Sequence, residues 1–311
     1  MDNFQGFFNG LKFKSRQMWN RRSLEFLLDF KDFFICEGFF NLFGFPYLRK
    51  YDVNHDFRRR LYLAVHQIFC MLIVIFSIYT VFAYPNSLPI ISENCMYILV
   101  FGGFSAKIFL LMKYHYEEIK EVIKSLDECF PHYGLDQMKY QTRKHLKKVQ
   151  IMAVLTFFIY TSFSLHYTTF PLQRQVYGWI TSQSLKWEPI LLIYFPFDAM
   201  KPIPYWTIYF LSFCVGNLEA LIFVFTDYLY ISILSLTSME FDILSEMISE
   251  INFENNEDAI KELKKFVKIH QQLIEVSEKL EKIFSLILFL EVYDFIASLC
   301  LFAFLIVVIT W

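Results

Sequence analysis

The chain has 311 residues, 56% of them apolar, with a mean hydropathy of +0.37 and a formal net charge of −2. Soluble domains average roughly 45–50% apolar residues, and here 38 phenylalanines and 19 tyrosines place the excess in bulky side chains. So balanced a charge offers no footprint for nucleic acid, and the apolar excess suggests a membrane protein.

In chain order, the first thirty residues alternate charges and aromatics without a 7–15-residue apolar run or a small-residue cleavage site, so no cleavable signal peptide is expected. Phe33 to Leu48 is aromatic but short, and Glu37, Gly38, Gly44 and Pro46 interrupt it. It reads as an interfacial or re-entrant piece closing an N-terminal segment, 1–60. A bilayer core needs roughly 20 mostly apolar helical residues to cross it. Four stretches within 61–236 qualify (61–84, 88–112, 149–170 and 205–236), and a fifth runs from 283 to 311. The predicted fold is an all-α membrane protein, a helical transmembrane bundle.

Charge sets the expected orientation. With the N-terminus in the cytosol, the inner segments 1–60, 113–148 and 237–282 hold 25 Lys/Arg, against Arg174, Lys186 and Lys201 in the outer loops. That distribution obeys the positive-inside rule. The helical pattern of the fourth span continues to about Glu250, far beyond the bilayer. After a polar break at Asn252, Asn255 and Asn256, the stretch KELKKFVKIHQQLIEVSEKLEKIFS repeats Ile260, Leu263, Val267, His270, Ile274 and Ser277 at helical intervals before entering span five. These long helices are expected to pack as a cytosolic platform over 237–282. Spacing alone shows a buried face without showing whose surface covers it.

Polar residues avoid lipid, so stripes of them within spans should face the bundle interior. Tyr160, Ser164 and Tyr167 form such a stripe in span three, and Tyr209, Gly216, Glu219 and Thr226 lie on another in span four. In span two, Tyr97, Phe101 and Phe104 face inward if Gly102 and Gly103 mark a close helix contact. In the outer half of the membrane, Tyr97, Phe101, Tyr160, Ser164, Tyr167, Tyr209 and Phe213 would line an aromatic cavity for a small apolar ligand. Simple packing of these rings on one another is the competing reading. Lys107 lies near the inner end of its span, where it is expected to snorkel, with Asp227 near the same surface. Glu291 and Asp294, one turn apart in span five, are expected to line a polar crevice or to be partly protonated.

The six cysteines show no CxxC spacing and the seven histidines are dispersed, so neither a disulfide framework nor a metal site is indicated. HExxH, GxSxG, GxxxxGK[ST] and GxGxxG are all missing. The expectation is a protein without enzymatic activity, metal or cofactor.

Residues 194 to 206 read YFPFDAMKPIPYW. With Tyr194, Pro196, Phe197, Asp198, Pro202, Tyr205 and Trp206 in this order, the stretch resembles the Pro-Phe-Asp loop before the fourth span of insect odorant receptors. FVKIHQQLIEVSEKLEKIFS, with His270, Leu280, Glu281, Phe284 and Ser285, looks like that family's cytosolic helix entering span five. The resemblance implies a ligand-gated, non-selective cation channel in the plasma membrane of sensory neurons. It would be a heterotetramer, surrounded by membrane lipid, in which odorant-binding subunits combine with a shared co-receptor and small volatile odorants enter the outer-half cavity of the bundle. The loop at Pro196, Phe197 and Asp198 would then serve as an outer lid, and Val267, His270 and Ile274 as a subunit contact. Gustatory receptors are the nearest rival family. The resemblance also implies seven spans, of which this sequence shows five. A fragment or a truncated paralogue is therefore expected, and a non-conducting decoy or scaffold subunit stays open.

Overall fold

The computed structural model describes residues 28–34, 53–131, 134–181, 193–195, 197–198, 201–251 and 256–310. Nearly all of the expected interfacial piece at 33–48, together with Pro196, lies outside them. Among the described residues the structure is helical, with no strand. The elements are α1 (Val53–Ala83), α2 (Leu88–Phe109), α3 (Tyr116–Cys129), α4 (Gly134–Lys139), α5 (Thr142–Ile180), α6 (Pro202–Ser249) and α7 (Asn256–Thr310).

Five of these helices are long and apolar enough to cross a membrane: Phe57–Ala83, Leu88–Tyr114, Thr142–Ile180, Pro202–Ser249 and Ala259–Phe304. An α-helix satisfies its backbone polar groups within itself, which hydrocarbon demands. Local chemistry sets their ends. Tyr84-Pro85-Asn86 stops α1 because the residue before a proline is pushed out of the helical region. Pro89 stands in the first turn of α2 and Pro202 opens α6, both positions where a missing N–H costs nothing. Past Phe109, α2 widens into one π turn at Leu110–Tyr114, closed by the His115 N–H on the Leu110 carbonyl at 2.8 Å. Gln141, at φ 50°, makes the left-handed turn between α4 and α5.

The third membrane-length helix is longer than the sequence reading of 149–170. It begins at Thr142 and continues through Pro171 to Ile180. At 1.5 Å per residue, α6 with 48 residues and α7 with 55 reach about 72 and 82 Å, well over twice a hydrocarbon core of about 30 Å.

The chain divides into two compact units. One comprises Tyr116–Met152 and Tyr228–Ile283 with the described residues up to Arg60. Its core includes Ile119, Val122 and Leu126 of α3, Ile233, Leu236 and Met239 of α6, and Leu273 and Ile283 of α7, all fully buried. The 3-10 turn at Phe30–Phe33 is held by a reciprocal Asp29–Asp32 cap. Phe30 and Phe33 set their rings edge-on to Phe130, and the Tyr228 hydroxyl donates to the Phe33 carbonyl at 3.0 Å. Gln137 accepts from the Leu28 N–H and donates to the Leu28 and Pro131 carbonyls. Lys279 and Lys282 of α7 pair with Glu121 and Glu118 of α3, and Lys139 pairs with Glu250.

Burial above all, and then the Glu240 and Glu128 carboxyl groups, pushes the Cys129 thiol from 9.0 up to about 11. The thiolate is the nucleophile, so at pH 8 a rise of this size leaves about a hundredfold less of it. Iodoacetamide should therefore alkylate Cys129 about a hundredfold more slowly than an unperturbed cysteine in the urea-unfolded chain, as peptide mass spectrometry would read.

The second unit comprises Leu61–His115, Ala153–Asp227 and the chain from Phe284 on. It carries the apolar parts of the membrane-length helices and, within them, buried polar groups that include His66, Lys107 and Glu219.

Candidate functional site

Tyr97 of α2, Ile73 of α1, and Tyr205 and Tyr209 of α6 form one buried aromatic cluster, with Phe69, Phe101, Leu172, Ile193 and Phe213 packed around it. The helical repeat explains the grouping: Tyr97 and Phe101 lie one turn apart on α2, as do Tyr205, Tyr209 and Phe213 on α6. The cluster has a hydrogen-bonded edge. The Tyr97 hydroxyl donates to the Glu93 carboxylate one turn earlier, and the Tyr97 and Tyr167 hydroxyls lie 2.9 Å apart. Tyr97 has one proton to give, so Tyr167 is the donor in the second bond. The Tyr209 hydroxyl donates to the Thr168 carbonyl at 2.7 Å, and Gln175 Nε2 donates to the Tyr205 oxygen at 3.2 Å.

Five of the seven residues expected to line a ligand cavity therefore meet here: Tyr97, Phe101, Tyr167, Tyr209 and Phe213. The other two stand elsewhere on α5. Tyr160 packs on Phe223 with ring centroids 5.1 Å apart, and Ser164 approaches Asn217 Oδ1 at 3.3 Å. Asn217 Nδ2 in turn donates to Thr168 Oγ1 and to the Phe213 carbonyl. Glu93, inside the expected second span, was not among the candidate residues. The i,i+4 spacing of Glu93 and Tyr97 was the available signal.

The stretch 194–206 contributes through its first residues. The Tyr194 N–H donates to Thr80 Oγ1 at 2.8 Å, the Tyr194 ring rests on Tyr79, and Phe195 reaches Phe76. Phe197 and Asp198 are exposed.

Lys107 does not snorkel. It is buried, with its ammonium paired to both Asp227 of α6 and Glu291 of α7 and 3.7 Å from the Phe223 ring centroid. Three helices thus contribute to one charge cluster, beside which Tyr160 lies. Gly103 has the close approach expected of it, since a Cβ there would collide with the Asp294 carboxylate, whereas Gly102 faces open space. Glu291 accordingly has a cationic partner, and Asp294 fits against the bare backbone of Gly103.

On α7 the face singled out by periodicity is not the one buried within the chain. Phe266, Leu273, Val276 and Leu280 are buried, while Ile260, Leu263, Val267 and Ile274 are exposed. His270 is exposed as well, with its ring edge-on to Phe241 at 6.2 Å.

Membrane-length helices with an internal aromatic and ionic lining define a multi-pass, all-helical membrane protein. Residues 87–311 match the model of the 7tm Odorant receptor family, and the chain belongs to that family. Its fold is similar to that of the insect olfactory receptor OR5 from Machilis hrabei, with a TM-score of 0.65 and 14% identity over 88% of this chain and 72% of that one. No curated protein matches. The family is one of receptors and channels rather than enzymes.

Proposed function

We propose that the chain is an odorant-sensing subunit that binds small, volatile, mostly apolar compounds at the Tyr97–Tyr209 aromatic cluster and gates a non-selective cation channel assembled with a co-receptor. The observation that carries this reading is the cluster itself, a set of large aromatic surfaces bordered by a Glu93–Tyr97–Tyr167 hydrogen-bond chain, in a member of the odorant receptor family. Aromatic surface supplies affinity by burial at about 25 cal/mol per Å². The hydroxyl edge orients one polar group of the ligand. The rings close on one another in this arrangement, and a ligand that fits between them favours the parted state and shifts the population toward conduction.

The N-terminus is cytosolic in this reading, in keeping with the charge distribution. The exposed row Ile260, Leu263, Val267 and Ile274, with His270, is the contact with other subunits. An unpartnered apolar stripe of this kind suits burial against a second helix. The outer loop at Pro196, Phe197 and Asp198 covers the ligand entrance.

Co-expression with an insect co-receptor, with current recorded during odorant application, tests the reading. An activating odorant should need about a tenfold higher concentration on Tyr97→Phe, as expected for the loss of about 1.4 kcal/mol of oriented hydrogen bonding. Tyr209→Ala should shift the response further, with surface protein unchanged in both variants. Equal loss of surface protein and current would show that these residues only pack.

A further inference from the structure

His66 and Cys70 lie one turn apart on α1, so both side chains leave the same face. Glu219 of α6 meets them there. His66 Nδ1 is 2.9 Å from Glu219 Oε1, Cys70 Sγ is 3.5 Å from His66 Nδ1, and the three donor atoms all lie within 4.8 Å of one another. All three residues are buried, at 4%, 0% and 5% exposure. The Tyr62 ring stacks on the imidazole with centroids 5.9 Å apart and 17° between planes, which holds the ring orientation.

The geometry points to a transition-metal site, made by His66, Cys70 and Glu219, that takes Zn²⁺ or a cation of similar softness and ties α1 to α6. Around tetrahedral zinc, bond lengths of about 2.0–2.3 Å place neighbouring donor atoms about 3.4–3.6 Å apart. The sulfur–nitrogen separation has that value already, and the nitrogen–oxygen separation is about half an ångström short of it. Two ligands four residues apart on one helix plus a carboxylate from another segment is an established zinc arrangement. A mixed nitrogen, sulfur and oxygen set favours Zn²⁺ over Mg²⁺ or Ca²⁺, which want oxygen alone.

Charge supports the same conclusion. A carboxylate in hydrocarbon needs a partner; the buried ammonium of Lys107 is held by Asp227 and Glu291, which leaves Glu219 with the imidazole of His66. A divalent cation would neutralise Glu219 together with the thiolate of Cys70, whose proton is released to solvent on binding. Three protein ligands leave a fourth position for water or another donor. None of this depends on which compound the aromatic cluster receives.

The test uses the full chain, purified in detergent, stripped with chelator and titrated with Co²⁺ as the spectroscopic probe. Stoichiometric binding of one ion per chain is expected, with thiolate-to-cobalt charge-transfer absorption that Zn²⁺ abolishes by displacement. Cys70→Ser should lose that absorption, and Glu219→Gln should bind at least tenfold more weakly, each compared at wild-type elution volume and helicity. In the wild-type chain itself, Zn²⁺ should raise the thermal midpoint, because a ligand bound by the folded state stabilises it. An unmoved wild-type midpoint and no charge-transfer band would leave only a hydrogen-bonded His66–Glu219 pair and overturn the site. Undiminished absorption in a folded Cys70→Ser would also overturn it.

Discussion

Replacing Lys107 by Met should cost the folded protein about 3 kcal/mol, the lower end of the penalty for removing one member of a buried ion pair. Asp227 and Glu291 would be left facing each other with no cation between them. Both carboxylates are about a quarter exposed, which is why the lower end applies. The fraction of detergent-solubilised protein that stays monodisperse through a heating series would report the loss. Removing all three charges together, as Lys107→Met with Asp227→Leu and Glu291→Leu, should restore most of the stability, since replacing a whole buried charge cluster by apolar groups is often near neutral. A single Lys107→Met variant as heat-resistant as the wild type would show that the cluster contributes nothing.

The second large effect belongs to the other unit and contrasts two neighbours on α7. Leu273 is fully buried, so Leu273→Ala should cost about 2–5 kcal/mol through lost burial and the cavity left behind. Ile274, the next residue, is 40% exposed, and Ile274→Ala should change the stability of the single chain by no more than about 0.5 kcal/mol. Its effect should fall instead on recovery of the co-receptor by affinity pull-down, and more so when Val267→Ala is added. If the double variant retained full co-assembly, the exposed row would not be the subunit contact. The comparison separates a face that folds the chain from one that joins it to another.

These expectations differ in how far the sequence alone supports them. An all-helical membrane protein with five spans is implied by the length of its apolar runs, because a bilayer core sets how many residues must be apolar and lipid requires that their backbone bonds close locally. Continuation of the helix from Pro202 to Ser249, and its restart at Asn256 after a polar break, are set by helical periodicity and local breakers. The grouping of Tyr97 with Phe101, and of Tyr209 with Phe213, was legible for the same reason: residues one turn apart share a face.

Partnership across the chain was not legible. Lys107 bonds to Asp227, 120 residues away, and no local rule distinguishes that from snorkelling at a helix end. His66 and Cys70 at i and i+4 look like any helical repeat until Glu219 arrives from α6. Periodicity likewise singled out one apolar face on α7, and packing within the chain buried another, that of Phe266, Leu273, Val276 and Leu280. Five spans and their inward stripes were determined by the sequence, because they depend on residues within a few turns of one another. Which charge meets which, and which apolar face the chain covers itself, were decided by the tertiary structure, because distant helices must first be brought side by side.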